Sequence, residues 1–292
     1  MDLSFISKKI DAIEEEIKDD RQYRKELEIM ERYANDDRVV SSGELLKEIN
    51  EEGKKKVLPI NTKIPSLDKL IGGFREGQLV VVSGPTGMGK TLLLQDFTYS
   101  FEEQGINCLW FSYEVGMEEF FDRFGGKVPN FYLPRRVKGS SVDWLKERIL
   151  EGVAKFNTKI VFIDHLHFLL EMGMLSQAKN LSLLIGMLMR ELKKMAIRTN
   201  TTIFLVSHMR KSKIDSRPTI EDLRDSSFVA QESDLVMMIW RLKEKEKDDV
   251  YTNQSKIIVE KNRRTGNLGG VKVEYNFLKG RFLEIDNKEY GY

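Results

Sequence analysis

The sequence predicts an α/β fold: a mainly parallel central sheet flanked by helices, antiparallel strands at the C-terminal end, and a short N-terminal helical arm. Three observations lead there. Short apolar runs rich in β-branched and aromatic residues alternate with helix-length amphipathic segments from about residue 79 to residue 206. One strand-to-helix junction, Leu79 to Leu94 (LVVVSGPTGMGKTLLL), is broken by a glycine-rich loop. Beyond residue 235, strand-like segments follow one another through short polar turns with no helix between them.

The elements follow in order. Residues 1–55 are dense in charge and almost free of Gly and Pro, and are expected to form a helical arm and linker. Ile6, Ile10, Ile13 and Ile17 make one apolar stripe, which Asp20 and Arg24 interrupt before it becomes a coiled-coil seam. Further helices are expected over 21–33 and over 42–51, the latter with Ser41 or Ser42 as N-cap. Such an arm either packs on its own domain or docks on a neighbouring subunit or partner. The main domain is expected over 56–292. Pro65-Ser66-Leu67-Asp68 starts a short helix that Gly72-Gly73 ends. Helices are expected over 91–104, 117–124, 141–156 and 181–199, and strands over 79–82, 107–113, 159–163 and 201–206. The later strands are expected over 235–240, 256–260, 271–277 and 281–285.

Composition narrows the class. A net charge of +1 gives no global case for nucleic acid, so any such site must be a local patch. One cysteine, Cys108, allows neither an internal disulfide nor a metal cluster, which suits a reducing, cytoplasmic setting. No apolar run approaches the ~20 residues of a membrane span, so no membrane partner is expected.

Gly84, Pro85, Thr86, Gly87, Met88, Gly89, Lys90 and Thr91 fit G-x-x-x-x-G-K-[ST], the phosphate-binding loop of nucleoside triphosphatases. Its glycines let backbone N–H groups wrap phosphates, and the following helix points its positive end at the same anion. Lys90 is then expected on the β/γ-phosphates of ATP or another NTP, and the Thr91 hydroxyl on Mg²⁺. In an open parallel sheet ligands sit beyond the carboxyl ends of the strands. The polar residues there are therefore candidates by position. Asp164 ends one apolar strand and is expected to share the Mg²⁺ with Thr91. Glu114 ends another, and is either an exposed strand-end residue or the base that orients and deprotonates the attacking water. His208 ends a third and is expected to sense the γ-phosphate. His165 and His167 are expected to be packing residues, because the three histidines lack the further ligands of a metal site.

Several of these segments together resemble the RecA-like hexameric replicative DNA helicases, a group that includes the DnaB type, phage helicase–primases and Twinkle. The resemblance runs from about residue 64 to residue 285. Ser66-Leu67-Asp68 and Gly72-Gly73-Phe74 are similar to that family's lead-in to the phosphate loop. Phe111-Ser112-Tyr113-Glu114 resembles its FSLE segment, which makes Glu114 the catalytic base. Ile163-Asp164-His165-Leu166 is similar to its Walker B element. Val206-Ser207-His208-Met209-Arg210 resembles the γ-phosphate-contacting motif, and the following loop, with Arg210, Lys211, Lys213 and Arg217, falls where the family binds DNA. Without the resemblance those cations read equally as a solvated loop. Asp222-Leu223-Arg224-Asp225-Ser226-Ser227 resembles LRESG, implying DNA contacts from Arg224 and Asp225, although Ser227 stands where the family has Gly. Gln231-Glu232-Ser233-Asp234 is similar to QDAD. Lys261-Asn262-Arg263 matches K-x-R, whose cations enter the neighbouring subunit's ATP site, with Arg263 as arginine finger and Lys261 beside it. From spacing alone these two would be a basic hairpin in solvent. Arg241 and Tyr275 fall where the phage enzymes flank the adenine.

The resemblance thus implies an ATP hydrolase of the 5′-to-3′ helicase type, translocating on single-stranded DNA as a homo-oligomeric, hexameric ring, with a primase or a helicase loader as further partners. Its members carry a folded domain where this chain has a charge-rich stretch of about 55 residues. The alternatives are a RecA-fold DNA-dependent ATPase that acts as recombinase, loader or regulator without separating strands, and a scaffold that binds ATP to assemble.

Overall fold

The computed structural model describes residues 40–52, 59–124, 126–136, 141–165, 181–209, 217–223, 226–244 and 247–285. The stripe of Ile6 to Ile17 and the helix expected over 21–33 lie outside them. The chain divides into two compact units at the junction of Leu58 and Pro59. In the first, α1 (Ser42–Glu52) begins with the Ser41 hydroxyl accepting from Glu44 N at 3.1 Å, so Ser41 caps it.

The second unit is built on one eight-stranded sheet in the order β2-β3-β4-β1-β5-β6-β7-β8. The strands are β1 (Leu79–Ser83), β2 (Cys108–Ser112), β3 (Ile160–Asp164), β4 (Thr202–Val206), β5 (Leu235–Glu244), β6 (Lys247–Asn262), β7 (Gly269–Asn276) and β8 (Arg281–Glu284). β2, β3, β4, β1 and β5 run parallel, and β5 to β8 antiparallel. This is the RecA-like arrangement that the sequence predicts. Every residue of β1 to β4 is buried, because helices cover both faces of a parallel sheet.

The helices are α2 (Pro65–Ile71), α3 (Lys90–Glu102), α4 (Met117–Asp122), α5 (Val142–Phe156), α6 (Leu181–Thr199) and α7 (Ser226–Glu232). Alternate strand residues feed two separate cores. Val80, Trp110, Phe162 and Phe204 pack with Phe97 and Phe101 of α3 on one face. Val81, Phe111, Val161 and Leu205 pack with Ile149 of α5 and Leu188 and Leu192 of α6 on the other. α2 starts at Pro65 and stops at Gly72, whose φ of 69° is left-handed. α5 is capped by the Ser141 hydroxyl, which accepts from Trp144 N at 3.2 Å.

Two elements depart from expectation. β6 is 16 residues long, three times the expected segment. α7 was not expected at all; it packs with Phe228 against Gly186 of α6, where a Cβ would come within 2.6 Å of the ring. Among the described residues no helix is long and apolar enough to cross a membrane.

Candidate nucleotide-hydrolysis site

The parallel strands carry their polar ends to one edge of the sheet. β1 enters the phosphate loop there, β2 ends beside Glu114, β3 ends on Asp164 and β4 leads to His208. The loop lies against β5. A Cβ on Gly84 (φ 148°) would meet the Ile239 carbonyl oxygen at 2.3 Å, so only glycine lets the loop pass that strand. Gly87 (φ 78°) and Gly89 (φ 93°) turn it back into α3.

Lys90 is buried, and its ammonium donates to the carbonyls of Gly84 and Pro85, both at 3.0 Å. Burial pushes its pKa down, opposed by the carboxylates of Glu114 and Asp164. Thr91 donates its hydroxyl proton to Asp164 Oδ2 at 2.6 Å, which brings together the two residues expected to hold the cation. Asp164 Oδ1 is buried with no partner among the described residues. A hydroxyl beside a carboxylate with a free oxygen is a hard-oxygen donor set that fits Mg²⁺ with its waters. Burial, partly offset by the Thr91 bond, lifts the Asp164 carboxyl to about 6. A cavity of about 360 Å³ opens between Thr86, Lys90, Thr91, Glu114 and Arg123. Arg123 is a residue that sequence reasoning missed. It holds Glu119 at 2.6 Å and reaches this cavity from just beyond α4, with no motif around it to mark it.

His208 stands edge-on to His165, their ring centroids 4.3 Å apart. Burial, then His165 and Lys90, lowers the His208 pKa to about 4, so its imidazole is neutral near pH 7. Glu114, His165 and His208 each bring one potential ligand atom within 4.8 Å of the others. His165, expected to pack, lies beside Glu114 and His208.

A second cavity adjoins the loop. Gly87, Met88, Gly89, Arg241 and Tyr275 line it together with Phe282, so the two residues expected at the base meet the phosphate loop here. Tyr275 is fixed edge-on to Phe277 with centroids 5.1 Å apart, and the Arg241 guanidinium lies 5.9 Å from the Tyr251 ring centre. Arg241 Nε donates to the Thr252 carbonyl.

Lys261 and Arg263 lie elsewhere. β6 is antiparallel to β5 and carries them to the opposite edge of the sheet, where Asn262 pairs with Leu235. Arg263 N donates to Asp234 O at 2.8 Å and Arg263 Nη1 to Asp234 Oδ1 at 3.2 Å. Lys261 donates to the carbonyls of Ala230 and Ser233. β1 alone, whose five residues are separated by four steps of ~3.3 Å, sets this edge about 13 Å from its own phosphate loop. Of the expected DNA contacts, Arg210, Lys211, Lys213, Arg224 and Asp225 lie outside the described residues. Arg217 is half exposed and pairs with Glu260 at 2.7 Å.

A model of the DnaB-like helicase C-terminal domain matches residues 129–284, just over half of the chain. The chain belongs to that family. Residues 60–127 of the second unit match a model of the KaiC ATPase, and this stretch contains the phosphate loop. Similar proteins include the replicative DNA helicase DnaB of Mycoplasma pneumoniae, 28% identical over 257 residues that cover 72% of this chain and 53% of the relative. DnaB of Mycoplasma genitalium is 25% identical over 291 residues, covering 85% of this chain and 61% of the relative. The chain thus spans between about half and three-fifths of the length of these relatives. A solved structure described as an ATPase domain has a similar fold, with a TM-score of 0.70 at 20% identity, over 85% of this chain and all of that one. So does a structure described as a DnaB-like replicative helicase and its interactions with primase, with a TM-score of 0.69 at 20% identity, over 97% of this chain and 76% of that one.

Proposed function

We propose that this DnaB-family chain is the motor of a replicative DNA helicase: an ATP hydrolase that forms a ring around single-stranded DNA and hydrolyses ATP between subunits. The observation that carries the reading is the division of one active centre between two edges of one sheet. Lys90, Thr91, Glu114, Asp164 and His208 gather at one edge, while Arg263 and Lys261 are held about 13 Å away at the other, too far to serve the same nucleotide. A neighbouring subunit that presents the second edge to the first completes the set.

The chemistry follows from the residues. Loop N–H groups and Lys90 hold the β- and γ-phosphates, and Tyr275 and Arg241 bracket the base. Glu114 accepts a proton from the attacking water as the γ-phosphoryl bond to the leaving oxygen breaks. Thr91 and Asp164 would hold Mg²⁺, which neutralises phosphate charge when bound. Neutral His208 donates to the γ-phosphate and loses that partner after hydrolysis, which marks the state of the site to the segment beyond β4. Arg263 from the neighbour offsets charge on the transferred group, a contribution of ~10³–10⁵ in rate for such fingers. Arg210, Lys211, Lys213, Arg217, Arg224 and Asp225 are the proposed DNA contacts. A primase partner is supported by the primase interactions named for the similar DnaB-like structure.

The KaiC match over residues 60–127 favours a second reading, a RecA-fold ATPase that regulates or loads without separating strands. Strand displacement on a forked duplex distinguishes them. The motor reading expects ATP-dependent displacement by the full chain and none by Lys90→Ala. DNA-stimulated hydrolysis without displacement supports the second reading.

A further inference from the structure

We propose that Asp234 is the positioning residue that aims Arg263 at the neighbouring subunit's nucleotide. The inference rests on the reading of Arg263 as that subunit's finger and adds what holds it in place.

Asp234 precedes β5 and is anchored to β1 on both its backbone and its side chain. Its N–H donates to the Leu79 carbonyl at 2.8 Å, and its Oδ2 accepts from Leu79 N at 2.8 Å. The ammonium of Lys193, on α6, reaches the same Oδ2 at 2.6 Å and the Gly77 carbonyl at 2.8 Å. The carboxylate is thus nearly buried, its side chain 10% exposed, and cannot swing. Its other oxygen, Oδ1, takes Arg263 Nη1, and its carbonyl takes Arg263 N. The Gln231 carbonyl, at the end of α7, takes Nη2.

Two consequences follow. The direction of the guanidinium is set by the first residue of β1, the strand whose far end carries the phosphate loop, so one strand joins the sending and receiving edges. A guanidinium has five N–H donors, and the hydrogen bonds to Asp234 and Gln231 use two of them. With its side chain 49% exposed, the group keeps a face and three donors for a phosphate outside its own subunit. Lys261, on the carbonyls of Ala230 and Ser233, is held beside it by the same turn of chain. The negative end of α7 favours both cations there.

Asp234→Asn tests this, since it keeps a carbonyl oxygen for Leu79 N but removes the charge that orients Arg263. With fold and assembly unchanged by melting temperature and sedimentation, kcat for ATP is expected to fall ~10²-fold, the scale of a misplaced catalytic group, with KM within about twofold. Mixing Asp234→Asn with Lys90→Ala protein should restore hydrolysis, because the latter supplies intact fingers to the former's intact phosphate loops. Full kcat in Asp234→Asn, or a loss that mixing does not repair, overturns the proposal. If Asp234→Asn does not fold, Asp234→Glu, which shifts the carboxylate by one methylene, is expected to show a smaller loss with the same repair, and the same two outcomes overturn it. Arg263→Ala is the control: if it hydrolyses ATP at full rate, the finger reading itself fails. If Arg263→Ala is inactive while Asp234→Asn is not, only the positioning role fails.

Discussion

His208 is held neutral by its surroundings. Half-buried against His165 and near Lys90, it has a pKa pushed down to about 4, while in an unfolded chain it would titrate near 6.5. Between those values the unfolded chain holds the proton and the folded protein does not, so this group's contribution to stability is full above pH 6.5 and drains away as pH falls. The Asp164 carboxyl, raised to about 6 by burial, acts in the opposite sense, since the folded state takes up its proton first. Comparison with a variant separates the two. The urea midpoint should drop between pH 7 and pH 5 less steeply for His208→Asn than for the parent. Equal slopes would show that His208 titrates normally and that its environment is wetter than its packing implies.

The phosphate loop depends on an approach between elements that only glycine permits. Gly84 passes the Ile239 carbonyl of β5 so closely that an added Cβ would sit 2.3 Å from its oxygen, and its φ of 148° is costly for any other residue. Gly84→Ala is expected to lose at least ~1–3 kcal/mol of stability in urea and to lose ATP affinity, because strand and loop must part. Parental values for both would mean that β5 yields freely. The same elements explain how far the sequence could be read. β1 to β4 and the edge bearing Glu114, Asp164 and His208 were legible because buried parallel strands are continuous apolar runs that end in polar residues. β6 was legible only in its C-terminal part, over 256–260. Its outer half, with Tyr251, Asn253 and Gln254, is polar, and pairing with β5 and β7 rather than apolar periodicity makes it a strand. α7 is seven residues long, just under two turns, too few for an apolar stripe to stand out, and rests on the contact of Phe228 with Gly186. Arg123 and Asp234 gained their meaning only from what the fold brings next to them.

Across the whole molecule, one sheet carries two halves of two different sites. Parallel strands collect the nucleotide-binding edge, and the turn into antiparallel β6 sends Lys261 and Arg263 to the opposite edge. If Arg263 is the finger we propose, a protomer built this way cannot bring its own cations to its own phosphate, and turnover would require contact between copies. Mixing two inactive proteins tests that directly. Lys90→Ala loses the phosphate loop and Arg263→Ala loses the finger, and neither alone should hydrolyse ATP. Shared sites predict that hydrolysis appears when the two are combined, because some junctions then pair an intact loop with an intact finger. A mixture as inactive as its components, or full activity in Arg263→Ala alone, would contradict the account.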